Sequence, residues 1–368
     1  MKKYLFFTFI LFLAFHTQAQ TYNLLVGTYT NKGNSEGIYV YDYDNQTAET
    51  KLKSVAKNVV NPSYLAVSKD RKFVYSVNED GKNSAVSAFG YDPKSGNLVF
   101  LNKKPAAGAD PCYISVDDKN VIIANYSGGS IAVFGRNADG SLTDAKQVVQ
   151  HTGKSIDPKR QTSAHVHMVQ FTPDKKYLLV NDLGEDHTYI YHYNPNSKNQ
   201  VLTVKNVIKT NAGSGPRHLT FSPNGKFAYL AHEFNGSITA FTYADGKLNK
   251  VQEIGTIAKD FTDKIDGADI HISADGKFLY ETNRGDANTI STFAILPTGT
   301  LKLIDIQSTL GKGPRNFSID PSGRFLLVAH QYTNDVVIFN RDQTTGKLKD
   351  SGKRINVGVP VCLVFSKK

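Results

Sequence analysis

The chain has 368 residues, 40% of them apolar and 11% aromatic, with no tryptophan and a formal charge of +10 at neutral pH. Its Lys and Arg residues are dispersed, mostly at turns such as Asp70-Arg71-Lys72 and Asp174-Lys175-Lys176. No basic block interleaved with aromatics appears, which argues against a nucleic-acid partner. Two cysteines, Cys112 and Cys362, are too few for a disulfide framework. Both sit in apolar strand patterns, as buried thiols or as a single pair.

In chain order, Lys2 and Lys3 precede the apolar run Tyr4 to Phe15, and Thr17 and Ala19 then supply small residues in signal-peptidase spacing. This pattern predicts an export signal over residues 1–19, too short an apolar run to cross a bilayer. Removing Lys2 and Lys3 with it lowers the formal charge from +10 to +8. No later stretch reaches transmembrane length, so the expected location is periplasmic or secreted, with no membrane attachment after cleavage.

Long helical patterns are absent from residues 20–368. Short runs rich in Val, Ile, Tyr and Phe alternate with Gly, Asn, Asp and Pro, an all-β pattern. The first runs are Leu24 to Tyr29 and Gly37 to Tyr41. A repeating unit then begins at Pro62, Pro111, Val166, Pro216, Gly267 and Pro314, a spacing of about 50 residues that fits one four-stranded blade per unit. The clearest copy runs from Gly215-Pro216-Arg217-His218 through Ser222-Pro223-Asn224-Gly225 to Phe241. The last run, Gly358 to Phe365, matches only the first strand of a unit, whereas the opening runs match the later strands. Six whole units and this split one predict a single seven-bladed β-propeller over residues 20–368, closed by pairing of its N- and C-terminal strands in one blade. Closure of this kind leaves no open end-blade.

In such a blade, the loop entering the first strand and the loop between the second and third strands open on one face. Aligning the units puts Ser63, Cys112, His167, Arg217, Ala268, Arg315 and Val361 in equivalent first-strand positions. The next positions are Tyr64, Tyr113, Met168, His218, Asp269, Asn316 and Cys362. The loop positions are assigned to Glu79, Tyr126, Asp182, Glu233, Arg284 and Gln331. One arc thus carries His167, Asp182, Arg217, His218, Glu233, Arg284 and Arg315, and the opposite arc carries mostly Ser, Cys, Tyr and Val. A repeat kept for structure alone needs no such asymmetry, although inter-blade ion pairs are an alternative reading. His165 and His167 lie two apart in an extended segment and point to one side. They suit substrate contact or catalysis, or metal ligation with Asp182, Glu233 or His218 as a third ligand. The arginines nearby oppose a cation. The segment Asn181 to His187 does not match calcium-loop spacing. The longer insertion His151 to Ser163 is expected to be a flap at this arc or a mobile loop.

The ordered set Leu25-Val26-Gly27-Thr28-Tyr29, Asn61-Pro62-Ser63-Tyr64, His165-Val166-His167, Asn181-Asp182-Leu183-Gly184, Gly215-Pro216-Arg217-His218, Asn283-Arg284-Gly285 and Gly313-Pro314-Arg315-Asn316 resembles the lactonase family of seven-bladed propellers. The resemblance covers nearly all of the chain after the signal. It implies a metal-independent hydrolase, without cofactor, acting on 6-phosphogluconolactone or a related aldonolactone. The implied catalytic residues are His165, His167, Arg217 and Glu233. On that footing His167 or His165 serves as general base, Glu233 orients a histidine or takes the proton itself, and Arg217 stabilises the oxyanion. Asp182, His218, Arg284, Arg315 and Asn316 are assigned to substrate binding, the arginines holding a carboxylate or phosphate. The expected partner is an anionic sugar-lactone small molecule, and the expected state a monomer. The alternatives are a periplasmic propeller that binds an anionic small molecule or protein without catalysis, and a muconate-type lactonising enzyme.

Overall fold

The computed structural model describes residues 21–368, and the export signal expected over residues 1–19 lies outside the described residues. Twenty-eight strands form seven four-stranded antiparallel sheets. Blade 1 is the split one, ordered β28 (Pro360–Lys367), β1 (Thr21–Thr28), β2 (Gly37–Asp44) and β3 (Thr50–Lys57). Leu24 pairs with Phe365, and Val26 with Leu363. Every other blade is continuous in sequence, and their first strands contact one another around the ring centre. No helix of the described residues is long and apolar enough to cross a membrane.

Strand position within the blade explains the residue patterns. A second strand lies between two neighbours and has adjacent blades on both faces, so its side chains are buried throughout. Asn120–Asn125, Phe278–Asn283 and Phe325–His330 are examples. The outermost strands, such as Leu98–Pro105, keep one face in water and alternate in exposure. Seven apolar clusters form the core, one at each interface between adjacent blades. The cluster joining blades 1 and 7 packs Leu24, Val26 and Leu363 against Leu327, Val336 and Ile338.

Four of the turns between first and second strands, after Ser68, Thr172, Ser222 and Ser273, share one device. A Ser or Thr hydroxyl donates to an Asp or Asn two residues on, as in Ser222 to Asn224 (2.7 Å) and Ser273 to Asp275 (2.5 Å). The residue after the Asn or Asp is left-handed, Gly225 (φ 69°) and Gly276 (φ 71°) in these copies, which is why Asn-Gly and Asp-Gly recur. Cys112 and Cys362 are both free and buried.

Candidate functional site

The loops entering the first strands open on one mouth with the loops between second and third strands. There a cavity of about 260 Å³ is lined by Glu79, Asp110, Glu233 and Asp266, by Arg160, Arg284 and Arg315, and by Cys112, Tyr126 and His167. A larger groove of about 320 Å³ between blades 1 and 2, walled in part by Phe89 and Phe100, brings together only Lys57, Asp80 and Lys103 as charged groups. Chemistry, not size, singles out the central cavity.

Glu233 organises it. The residue follows strand β17 (Phe227–His232), and its backbone N–H donates to Gly215 O, which fixes the loop at the mouth. Its Oε2 accepts from Arg217 Nε (2.9 Å) and Arg284 Nη2 (3.0 Å), and its Oε1 from Arg160 Nη2 (2.5 Å). Burial alone would raise its pKa, but Arg284, Arg217 and Arg160 outweigh burial and hold the carboxyl at about 2. A carboxylate so held is a poor proton acceptor near neutrality and a strong positioning anchor for three guanidinium groups.

His167 sits on β12 (Val166–Phe171) at 4% exposure. Burial, then the positive field of Arg217, the His218 ring, Arg315 and Arg284, pushes its pKa well below the ordinary range. The imidazole is therefore neutral at pH 7. Its Nδ1 is buried without a hydrogen-bond partner, which leaves Nε2 for the cavity. Tyr126 stands edge-on to it, with ring centroids 5.6 Å apart. His165 is placed differently. It stacks on Tyr126 at 4.6 Å, and its Nδ1 lies 3.0 Å from Tyr126 O, so it braces the wall beside His167 and is absent from the cavity lining.

Arg315 stands opposite these groups. Its guanidinium lies over the Tyr29 ring at 5.7 Å and, among the described residues, makes no ion pair. Glu79 accepts from Tyr29 OH at 2.9 Å and from Ser63 Oγ, and burial raises its pKa in spite of the Arg315 charge. Arg284 also reaches Asp266 Oδ1 at 3.0 Å.

Several expected site residues lie elsewhere. Asp182 is wholly buried and does not face the mouth. Its Oδ1 accepts from the backbone N–H groups of His165 (2.8 Å), Gly184 (3.0 Å) and Glu185 (3.2 Å), and its Oδ2 lies 2.7 Å from His151 Nδ1. Strand pairing shifts this unit by one residue from the position its sequence suggests. Val166 pairs with Asp182 as Pro216 pairs with His232, so Leu183, not Asp182, is the counterpart of Glu233. In a strand a one-residue slip reverses the face of the side chain. Arg217, at 1% exposure, lies a layer below the cavity, with Nη1 donating to Ala268 O at 2.5 Å. His218 and Asn316 lie deeper still, both on Asp269 (2.8 and 2.5 Å).

Arg160 and Tyr126 were not singled out from sequence as site residues. Arg160 comes from the insertion, which is neither loose nor detached. Gln161 Nε2 donates to Leu183 O (2.8 Å), Gly153 N to Glu185 Oε1 (2.6 Å) and Ser155 Oγ to Asp186 Oδ2 (2.5 Å). These bonds deliver Arg160 to Glu233, Tyr126 OH (3.1 Å) and the face of Phe234 (4.8 Å). The insertion's position before His165 was the available signal. Among the described residues, His151, Asp182 and Glu185 form the one group with metal-ligand spacing. All three already serve as hydrogen-bonded anchors of this loop, away from the cavity.

A family model described as a seven-bladed β-propeller lactonase matches residues 23–365. The chain belongs to this lactonase family. The 6-phosphogluconolactonase of Bacillus subtilis is 37% identical to it over 345 residues, covering 92% of this chain and 97% of the relative. A Bacteroides fragilis protein of known crystal structure is 46% identical, with a TM-score of 0.91 over 95% of this chain and 99% of that one. The periplasmic gluconolactonase of Pseudomonas aeruginosa is 38% identical, with a TM-score of 0.90 over 94% of this chain and 99% of that one. A lactonase therefore carries this cavity.

Proposed function

We propose that the chain hydrolyses an unphosphorylated aldonolactone to the open sugar acid, in the periplasm or outside the cell. The observation that carries the reading is the charge balance of the cavity. Three arginines at its wall face four carboxylates, and of the three Arg315 alone makes no ion pair among the described residues. The carboxylates suit the hydroxyl donors of a neutral sugar ring. One new negative charge is accommodated beside Arg315, first the oxyanion and then the product carboxylate. A phosphate dianion would add two more charges to a wall already rich in carboxylates.

In this reading neutral His167, a weak base in the resting field of the arginines, accepts a proton from water only as the water oxygen bonds to the lactone carbonyl carbon and the negative charge developing there offsets that field. Arg315 faces the oxyanion, and Glu233 holds Arg160, Arg217 and Arg284 in place. The C–O bond of the ring then breaks, and the imidazolium returns its proton to the leaving alkoxide. Arg217, at 1% exposure beneath the cavity, contributes through the field it adds rather than by contact. The leader pattern of residues 1–19 and the periplasmic relative both support export.

The test is turnover of glucono-δ-lactone against its 6-phosphate by the mature chain. The unphosphorylated lactone is expected to give the higher kcat/KM, and His167→Asn to lower kcat by about 10²- to 10⁴-fold. Preference for the phosphate ester would overturn the substrate assignment. Full activity of the His167 variant would overturn the base.

A further inference from the structure

We infer that Asp269 and His218 are positioning residues for Arg217, and that together they form a buried relay from the cavity toward the opposite mouth of the ring. The inference rests on the lactonase reading for its kinetic consequence but on geometry for its existence. Asp269 lies on β20 (Gly267–Ile272) at 1% exposure. Its Oδ1 is 2.8 Å from His218 Nδ1 and also accepts from Ile270 N at 3.0 Å. Its Oδ2 accepts from Asn316 Nδ2 (2.5 Å) and Phe317 N (3.3 Å) and is 2.9 Å from His271 Nε2. Asn316 is itself pinned, because its Oδ1 accepts from Leu363 N at 2.7 Å. Blades 5, 6 and 7 thus meet at this one carboxylate, and blade 1 joins them through Asn316.

The tautomer of His218 follows from these contacts. An ionised carboxylate only accepts, so Nδ1 of His218 must carry the proton. Burial, then the Arg217 charge, lowers the ring's pKa to about 4, against the pull of Asp269. The ring is therefore neutral at pH 7, with its single proton on Nδ1. Its Nε2 is left as a lone pair, and Arg217 Nη1 lies 3.3 Å away. Arg217 Nε reaches on to Glu233 Oε2. Four groups are therefore ordered Asp269, His218, Arg217, Glu233, each fixing the next. At the far end His271, its side chain 39% exposed, holds the other oxygen of Asp269 and borders a separate cavity of about 230 Å³.

Asp269→Asn breaks the order in a defined way. Two N–H donors, Asn316 Nδ2 and Phe317 N, face one oxygen, whereas Ile270 N alone, besides His218, faces the other, so the amide oxygen turns to the pair and the NH₂ faces His218 Nδ1. Nδ1 must then accept, the proton moves to Nε2, and two donors confront each other at Arg217. The first measurement is the ¹⁵N spectrum of the histidines. Wild type is expected to show His218 protonated on Nδ1, and D269N on Nε2. The second is kinetic, with kcat in D269N expected to fall by about 10²-fold and KM to stay within about threefold. In an Arg217→Met background D269N should add almost nothing, because the interaction it supports is already gone. His218→Gln keeps a donor and an acceptor on one side chain and should retain at least tenfold more kcat than His218→Leu at equal Tm. An unchanged tautomer in D269N, or losses that multiply in the double variant, would overturn the relay. Absence of lactone turnover by wild type would instead remove the proposed function and leave the spectral result to decide the relay.

Discussion

At the residue scale, buried charge in this ring is sorted by partners. Glu233, after the second strand of blade 5, and Glu281, on the second strand of the adjacent blade 6, are both almost unexposed, yet their ionisation runs in opposite directions. Glu233 faces three guanidinium groups and is held at about 2. Glu281, on β21 (Phe278–Asn283) behind Gly267, has neither oxygen in a well-formed hydrogen bond. Burial raises its pKa to about 8, in spite of Thr256, Asn283, the Ala268 backbone and Arg217. A carboxyl raised in this way binds a proton more tightly in the folded state. Its contribution to stability is fully present below the ordinary carboxyl range and is lost as pH rises through about 8. Glu281→Gln removes that titration. In thermal melts from pH 5 to pH 9, the Tm of the variant should gain steadily on that of wild type. Parallel Tm curves would show that Glu281 ionises without cost.

At the element scale, what was legible in the sequence depended on repetition. The strand starts at Pro111, Val166, Pro216, Gly267 and Pro314 coincide with first strands in the structure, because each blade reuses the same turn chemistry and pairing. Asp182 was misplaced because Asn181-Asp182 resembles the end of other second strands, and only pairing fixes which of the two is Asn-like. Arg160 was illegible for a different reason. Its place depends on non-local bonds from the insertion to the loop after Asp182, and no periodicity encodes them. The insertion is thus a bound arm with one polar tip. Arg160→Met should leave Tm nearly unchanged, since the side chain is 39% exposed and the anchors lie at other residues. It should raise KM for the lactone about 10-fold, with a smaller effect on kcat, through loss of one guanidinium at the mouth. A large fall in Tm would mean that the arginine, not Gln161 and Gly153, holds the arm.

On the scale of the whole molecule, the site depends on closure. The cavity takes residues from blades 2 to 7, and the relay beneath it is tied to blade 1 through Leu363. No blade carries a site alone, so the seven interfaces must close at once to bring these groups together. Closure rests on β28, which pairs with β1 and contributes Leu363 to the core shared with blade 7 and Cys362 to the core shared with blade 2. A chain ending at residue 358 would expose the edge of β1 at the ring centre and leave Leu24 and Leu25 without their neighbours. Loss of one buried leucine alone costs about 2–5 kcal/mol, a large share of the stability of an ordinary domain. The truncated chain is therefore expected to lose its cooperative melt and to associate through the open strand edge. A synthetic peptide of residues 359–368 should restore the melt by adding the missing strand, with a Tm that rises with peptide concentration. A truncated chain that melted like wild type without the peptide would show that six whole blades and a partial seventh hold the ring, and that the terminal strand is an ornament of the fold rather than its clasp.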